Sequence, residues 1–377
     1  MLKHPGKKKA RVVNRGPVSE IDLSSLQHNL KIIRRIAGKR TVIAVVKADA
    51  YGHGAVEISR KLVSEGVSFF AVAYTEEAKT LRDSGIDARI LVLFDRSDIA
   101  DYFAYDLIPV IYDMESAAAF SKEAKKRGKR IPVHLEVDTG MGRIGFRSEK
   151  FVADAACISQ MEGIELEGLL SHFSEADTNN SSYSVHQLEV FGHLRNALEE
   201  KTGRKLIAHM ANSAALLSLK ESLLDAVRPG LALYGYSPLQ EDLGLRPLMK
   251  IKTKILSIRR VPSGTPVSYG RSFITKRESK IAVVPVGYAD GYSRLFSNNA
   301  DMLVRGIRTP VAGRICMDLT LIDVTEVDDI SQGEEVVLLG RQNGDMITAT
   351  ELSARINSIP YEIMTSLGTR ANREYIH

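Results

Sequence analysis

A lysine closes the first strongly apolar run of the chain. Residues 42–46 (VIAVV) lead into Lys47, and Ala48-Asp49-Ala50-Tyr51-Gly52-His53-Gly54 follow. Burial at a strand end disfavours an ammonium and lowers its pKa from about 10.4. A neutral amine is a nucleophile that can form a Schiff base with a carbonyl. A lone lysine in such a place more often snorkels to water. Here Gly52 and Gly54 suit close backbone approach to a ligand, and Tyr51 offers a hydroxyl to a phosphate oxygen. Other apolar runs also close on polar residues: Asp138-Thr139-Gly140-Met141-Gly142-Arg143, Ser171-His172, His209-Met210-Ala211-Asn212-Ser213 and Arg228-Pro229-Gly230. The turn at Gly230 can present backbone amides to a phosphate, while Arg228 could equally form a structural ion pair. Ser213 opens an apolar helix, where it can cap the helix, bind phosphate, or do both. His172 by itself reads as a packed histidine; its company with Lys47 and Arg228 is what favours chemistry.

These residues need a scaffold that gathers strand ends. Short runs rich in β-branched residues fall at 42–46, 69–73, 90–94, 108–111, 132–137, 165–171, 206–210 and 226–228. Amphipathic stretches such as 113–128 and 183–201 lie between them. Eight alternating units of this kind predict an α/β fold, a (β/α)8 TIM-like barrel whose active site lies at the C-terminal ends of its strands. A helix over 21–37, capped by Asp22 or Ser24, precedes the barrel. Past Tyr236 the texture becomes strand-like, with turn residues at Pro262-Ser263-Gly264, Gly306 and Gly313 and no helical period until 349–357. The expected organisation is a basic tail over 1–16, a barrel over 17–240 and a β-rich domain over 241–377.

The chain has 377 residues and a net charge of +5, and residues 1–19 hold six bases and no acid. The rest is therefore close to neutral, and a nucleic-acid or lipid role would rest on the tail alone. The tail reads as a solvated leader without the apolar segment of a secretory signal. No run is long enough to span a bilayer. Cys157 and Cys316 fall in segments that read as core, which suggests reduced thiols and a cytoplasmic protein. No Walker loop, metal-ligand spacing or well-placed GxGxxG appears, so neither a nucleotide nor a metal is expected.

With these residues in view, the chain resembles the alanine racemases from about residue 17 onward. The resemblance rests on 44–54 (AVVKADAYGHG), 138–145 (DTGMGRIG), Ser171-His172-Phe173, Ala211-Asn212-Ser213, Arg228-Pro229-Gly230 and Leu233-Tyr234-Gly235. In the second domain it rests on 267–271 (VSYGR), 287–292 (GYADGY) and 313–318 (GRICMD), which are more specific to racemases. It implies an isomerase that uses pyridoxal 5'-phosphate (PLP) to interconvert L- and D-alanine, supplying D-alanine for peptidoglycan. Lys47 would carry PLP and act as base on one face, and Tyr269 from the partner of a homodimer would act on the other. Tyr51, Asn212, Ser213, Gly230, Leu231 and Tyr361 would hold the cofactor at its phosphate side. Arg228, supported by His172, would face the ring nitrogen. Arg143 and the partner's Met317 would position the cofactor phenol and the substrate carboxylate, and Tyr288 would line the access channel. From the sequence by itself, Tyr269, Tyr361 and Met317 would pass as packing residues.

One position departs from the family pattern. Two residues before Asp138 these enzymes often have a lysine, commonly carbamylated; here Glu136 stands there. The expectation is that its carboxylate orients Arg143 without modification, the alternative being that it points elsewhere and an anion fills the gap. Two other functions compete. A non-catalytic PLP-binding barrel would lack the residues after Tyr236. A racemase or decarboxylase of basic amino acids would carry a differently spaced acidic partner for the ring nitrogen, or a signal peptide.

Overall fold

The computed structural model describes residues 16–178, 180–239 and 243–377. Apart from Gly16, the expected basic tail lies outside them. Two compact units are present: Ile21–Met249 with Tyr375–His377, and Lys250–Glu374 with the segment that ends at Glu20.

The first unit is a barrel of eight parallel strands, labelled here β1 (Thr41–Val45), β2 (Phe69–Val72), β3 (Arg89–Val92), β4 (Ile108–Ile111), β5 (Ile131–Asp138), β6 (Ile164–Leu170), β7 (Ile207–His209) and β8 (Ala226–Val227). Pairing runs in sequence from β1 to β7, and β8 pairs back onto β1. The gap between β7 and β8 is closed by single bonds: Asp225 N donates to Ala208 O at 3.0 Å and Arg228 N to Ala211 O at 2.8 Å. The predicted α/β barrel is therefore present, and runs such as Phe69–Val72 and Ile108–Ile111 are buried along their whole length.

Helices between the strands start and stop where the sequence signals do. Asp22, not Ser24, caps the helix Leu23–Ala37, accepting from Ser24 N at 2.8 Å and Ser25 N at 3.2 Å. Asp113 caps Met114–Arg127, which ends at Gly128 in the left-handed region with φ 60°. Cys157, expected in the core, is exposed on the helix Ser148–Ile158. That helix is short and its buried face is Phe151, Ala155 and Ile158, so position 157 turns outward.

The second unit is mostly strand. Its largest sheet runs Ile307–Pro310, Asp301–Val304, Glu335–Gln342, Met249–Lys254, Val18–Asp22 and Asn372–Ile376, with Asp345–Ile347 pairing on Glu335–Gln342. A three-stranded sheet is formed by Ser257–Val261, Ser279–Val284 and Thr320–Asp323, and a two-stranded one by Pro266–Val267 and Phe273–Ile274. Helices Ala349–Arg355 and Pro360–Ser366 follow. Among the described residues no helix is long and apolar enough to cross a membrane.

The Asp22 cap ties both hydroxyls of the first turn as well as its amides, with Ser24 Oγ and Ser25 Oγ each 2.6 Å from the carboxylate. Asp22→Ala is expected to lower stability by about 1–2 kcal/mol, read as a lower urea midpoint for the barrel with unchanged secondary structure.

Candidate active site

The polar ends of β1, β5, β6, β7 and β8 meet at one mouth of the barrel. Lys47 leaves β1 and packs against Phe94, just past β3, with Nζ 5.3 Å from the ring centroid. Arg143 lies over the same ring at 5.3 Å. Burial, together with Arg143 and Arg228, pushes the Lys47 amine below its ordinary value, and Glu77 opposes them. A larger share of neutral amine is what a nucleophile or base at this position requires.

After Lys47 the backbone turns in an unusual way. Ala48, Asp49, Ala50 and Tyr51 all lie in the left-handed region, with φ of 53–54°. Each such residue costs about 1–2 kcal/mol, so the surroundings must hold the turn. Glu77 accepts from Ala48 N at 2.5 Å, and Asp49 accepts from Ala55 N at 2.7 Å. Tyr234 stacks on Tyr51 and on His53, each at 4.7 Å, and its hydroxyl donates to Val45 O at 2.9 Å. Glu77 and Tyr234 went unnoticed as site residues because they position the backbone and not a ligand.

The turn delivers Tyr51 to the end of β8. A Cβ on Gly230 would overlap the Tyr51 hydroxyl, so this close approach requires glycine. Ser213 Oγ accepts from Gly230 N at 3.0 Å and from Ala232 N at 3.1 Å, which fixes the hydroxyl beside the short helix Leu231–Tyr234. Ser213 is therefore not the cap of its own helix. Asn212 is, accepting from Ala215 N at 2.9 Å. Two hydroxyls and the amide turn at Gly230-Leu231 form a cradle of the kind that suits a phosphate.

Arg228 is buried behind this cradle, with 5% of its surface exposed. Nη1 donates to His209 Nδ1 and to His209 O, both at 2.5 Å; Nη2 donates to Ser171 O at 2.7 Å and lies 3.4 Å from His172 Nδ1. Burial lowers its pKa to about 10, with Glu136 opposing, so the guanidinium stays charged at neutral pH. His172 is driven down to about 3 by burial and by Arg228, Arg143 and Lys47, and is neutral. Two arginines and a lysine of lowered pKa thus surround a neutral imidazole, a field suited to anions.

Glu136 is the acid nearest in character to this cluster. It is buried, burial pushes it up to about 7 against the pull of Arg228 and Arg143, and its Oε2 has no hydrogen-bond partner. Among the described residues no ion pair joins it to Arg143. An orphaned carboxyl oxygen among arginines, an amine with lowered pKa and a cradle for phosphate together fit a phosphate-bearing carbonyl cofactor.

The remaining expected residues lie in the β-rich unit. Tyr269, Tyr288 and Met317 come together with Arg294, Ile315 and Cys316 around an open cavity of 640 Å³. Tyr269 is 68% exposed and Met317 55%. Tyr361 lies on the helix Pro360–Ser366.

Comparison with known proteins follows the same division. Residues 21–238 match the family described as alanine racemase, N-terminal domain, and residues 248–375 the alanine racemase, C-terminal domain. The chain is 47% identical to the alanine racemase of Thermodesulfovibrio yellowstonii, covering 95% of this chain and 97% of that one. It superimposes on the alanine racemase of Streptomyces coelicolor with a TM-score of 0.92 at 34% identity, covering 97% and 99% of the two chains. A racemase of Bartonella henselae with covalently bound pyridoxal phosphate matches with a TM-score of 0.87 at 30% identity over 96% of this chain and 99% of that one.

The raised pKa of Glu136 has a consequence for stability. Unfolded, the carboxyl titrates near 4.5; folded, at about 7. Between these values the folded state binds the extra proton, so stability falls as the pH rises through 7, by roughly 3 kcal/mol at most. In cofactor-free protein, Glu136→Gln should match the wild type in urea near pH 4.5 and exceed it at pH 8.5. An identical pH dependence of the two midpoints would contradict the assignment.

Proposed function

The chain belongs to the alanine racemase family, and from that premise we propose that it interconverts L- and D-alanine using PLP held on Lys47. The observation that carries this reading is the convergence of Lys47, Tyr51, Ser213, Gly230 and Arg228 on one barrel mouth. PLP, when bound, supplies the electron-withdrawing ring that makes the Cα–H of an amino acid acidic.

This chain's residues do the rest. Ser213, Tyr51 and the amides of Gly230 and Leu231 would bind the phosphate, and Asn212 fixes the first turn behind Ser213. Arg228 keeps its protons at neutral pH, so it would offer the ring nitrogen of the bound cofactor a hydrogen bond without giving it a proton. His172, held neutral, supports the guanidinium without adding charge. Arg143 attracts the substrate carboxylate.

Racemisation removes a proton from one face of Cα and returns one to the other, so two bases on opposite faces suffice. Lys47 Nζ serves one face, and its lowered pKa supports a base role. The partner's Tyr269 serves the other through its hydroxyl oxygen, with the partner's Met317 beside the substrate and Tyr288 lining access. The exposed cluster of Tyr269, Tyr288 and Met317 supports a shared site: apolar surface of this kind is covered in an assembly. A two-fold homodimer satisfies this need symmetrically. Glu136, ionised only in part at neutral pH, supplies some negative charge toward Arg228 and Arg143. No bond to Arg143 is made, so any orienting effect is through the field or through a bridging group. Two unpaired cysteines agree with a cytoplasmic enzyme, and the D-alanine it makes would enter peptidoglycan.

Incubating the PLP-loaded protein with pure L-alanine should give D-alanine, approaching an equal mixture by chiral chromatography. Lys47→Ala and Tyr269→Ala should each be inactive, and mixing them under conditions of subunit exchange should restore part of the activity. No recovery after demonstrated exchange would count against the shared site.

A further inference from the structure

Inside the barrel, a line of polar side chains leads away from Arg228. His209 Nδ1 accepts from Arg228 Nη1 at 2.5 Å. His209 Nε2 lies 2.8 Å from His134 Nδ1. His134 Nε2 faces Glu167 Oε2 at 3.6 Å, and Glu167 Oε2 is 2.5 Å from Arg89 Nη2. Both histidines are fully buried. Arg89 is the first residue of β3, at the strand's N-terminal end and so away from the mouth.

The donors fix the protons along this line. A guanidinium has only N–H groups, so His209 Nδ1 must be the acceptor and the ring carries its proton on Nε2. That proton points at His134 Nδ1, which must then accept. His134 in turn holds its proton on Nε2, aimed at the Glu167 carboxylate. Burial pushes both imidazoles down, so both are neutral, and one tautomer of each fits the two shorter contacts. At 3.6 Å the His134 Nε2–H meets the Glu167 carboxylate through its charge and makes no hydrogen bond within the protein. His134 and Arg89 hold the Glu167 carboxyl down at about 2, so the line ends in a fixed negative charge.

The backbone is shaped around this line. In the β5–β6 ladder Val133 pairs with Leu166 and His134 with Gly168, so Glu167 is the extra residue of a bulge. A bulge re-aims a side chain, here the carboxylate beside His134. A Cβ on the next residue, Gly168, would overlap the His134 ring. Two local departures from regular strand therefore serve the same contact.

We propose that Glu167 and His134 are positioning residues for Arg228, acting through His209 to set the orientation and hydrogen-bonding strength of the guanidinium from the far end of the barrel. The proposal rests on the reading of Arg228 as partner of the cofactor ring. The carboxylate polarises His134, which makes His209 Nδ1 a better acceptor. Arg228 is thereby held more firmly on its inner side, and its remaining donors keep a fixed direction. The charged groups that face the line are Arg89 and Glu167 at one end and Arg228, with Glu136 and Arg143, at the other.

The test uses the PLP-loaded enzyme. Glu167→Gln should lower kcat about tenfold, as loss of an outer partner commonly does. KM for alanine should change little, and the visible absorption of the bound cofactor should shift. Arg89→Gln removes the cation that competes for the same carboxylate and should shift the absorption the opposite way. Damage to packing alone would move both variants in one direction or leave the spectrum untouched, and either result would overturn the proposal. Nitrogen-15 spectra of histidine-labelled protein should show His134 and His209 neutral with the proton on Nε2; a proton on His209 Nδ1 would also overturn it. Should the wild type fail to racemise alanine, the functional reading falls while the tautomers still decide the relay.

Discussion

A guanidinium removed from water is costly unless its donors are paired, and the barrel mouth is organised around how Arg228 meets that requirement. Among the described residues no carboxylate pairs with it. Instead it takes the carbonyls of Ser171 and His209 and the ring of His209. Neutral acceptors satisfy hydrogen bonds without cancelling charge, so the positive field survives at the mouth. Burial first, and this field with that of Arg143 second, drive His172 to its neutral form and lower the Lys47 amine. Burial and the positive field of the two arginines thus act together on the protonation of their neighbours. Glu136, whose charge opposes the effect of burial on Arg228, is itself made hard to ionise by burial and cannot fully offset the charge. The mouth is left short of anions, which a phosphate and a carboxylate would supply.

Strain is concentrated beside this field. Four left-handed residues in succession follow the lysine, and such a turn persists only where its surroundings over-determine it. Glu77 performs that task by accepting from Ala48, Ala73 and Tyr74 amides at once, joining the turn to the end of β2. The gain is geometric. Within a few residues the chain supplies both an amine toward Phe94 and a phenol against Gly230, groups that on the proposed reading would serve opposite ends of a cofactor.

The strands and the strand-end cluster were legible because both obey local rules. A parallel strand buried on two faces must be an apolar run, and a polar residue closing such a run stands out. Ser213 shows where local rules stop: a hydroxyl at a helix start reads as a cap, yet Asn212 one residue earlier takes that role and frees Ser213 for the amides of Gly230 and Ala232. Cys157 was misread for a related reason, since an apolar helix surrounds it while its own direction is outward. Tyr269, Met317 and Tyr361 carry no signal that separates them from packing residues, and only family resemblance marked them. His134 was invisible in a different way. It sits inside an apolar run, and its meaning depends on partners 33 and 75 residues further along the chain.

The histidine pair also bears on why the barrel interior is polar at all. Branched apolar side chains usually fill this space, and they would pack it without the cost of burying two imidazoles. An apolar plug would leave Arg228 Nη1 without a side-chain acceptor, and a single histidine would leave its own second nitrogen unpaired in the core. The second imidazole moves that unpaired nitrogen outward, to a depth where a partly exposed carboxylate can face it. On this view the pair is the shortest route by which a buried donor at the mouth can be connected to charge that water and Arg89 stabilise. The bulge at Glu167 and the missing side chain at Gly168 are the backbone adjustments that such a route demands.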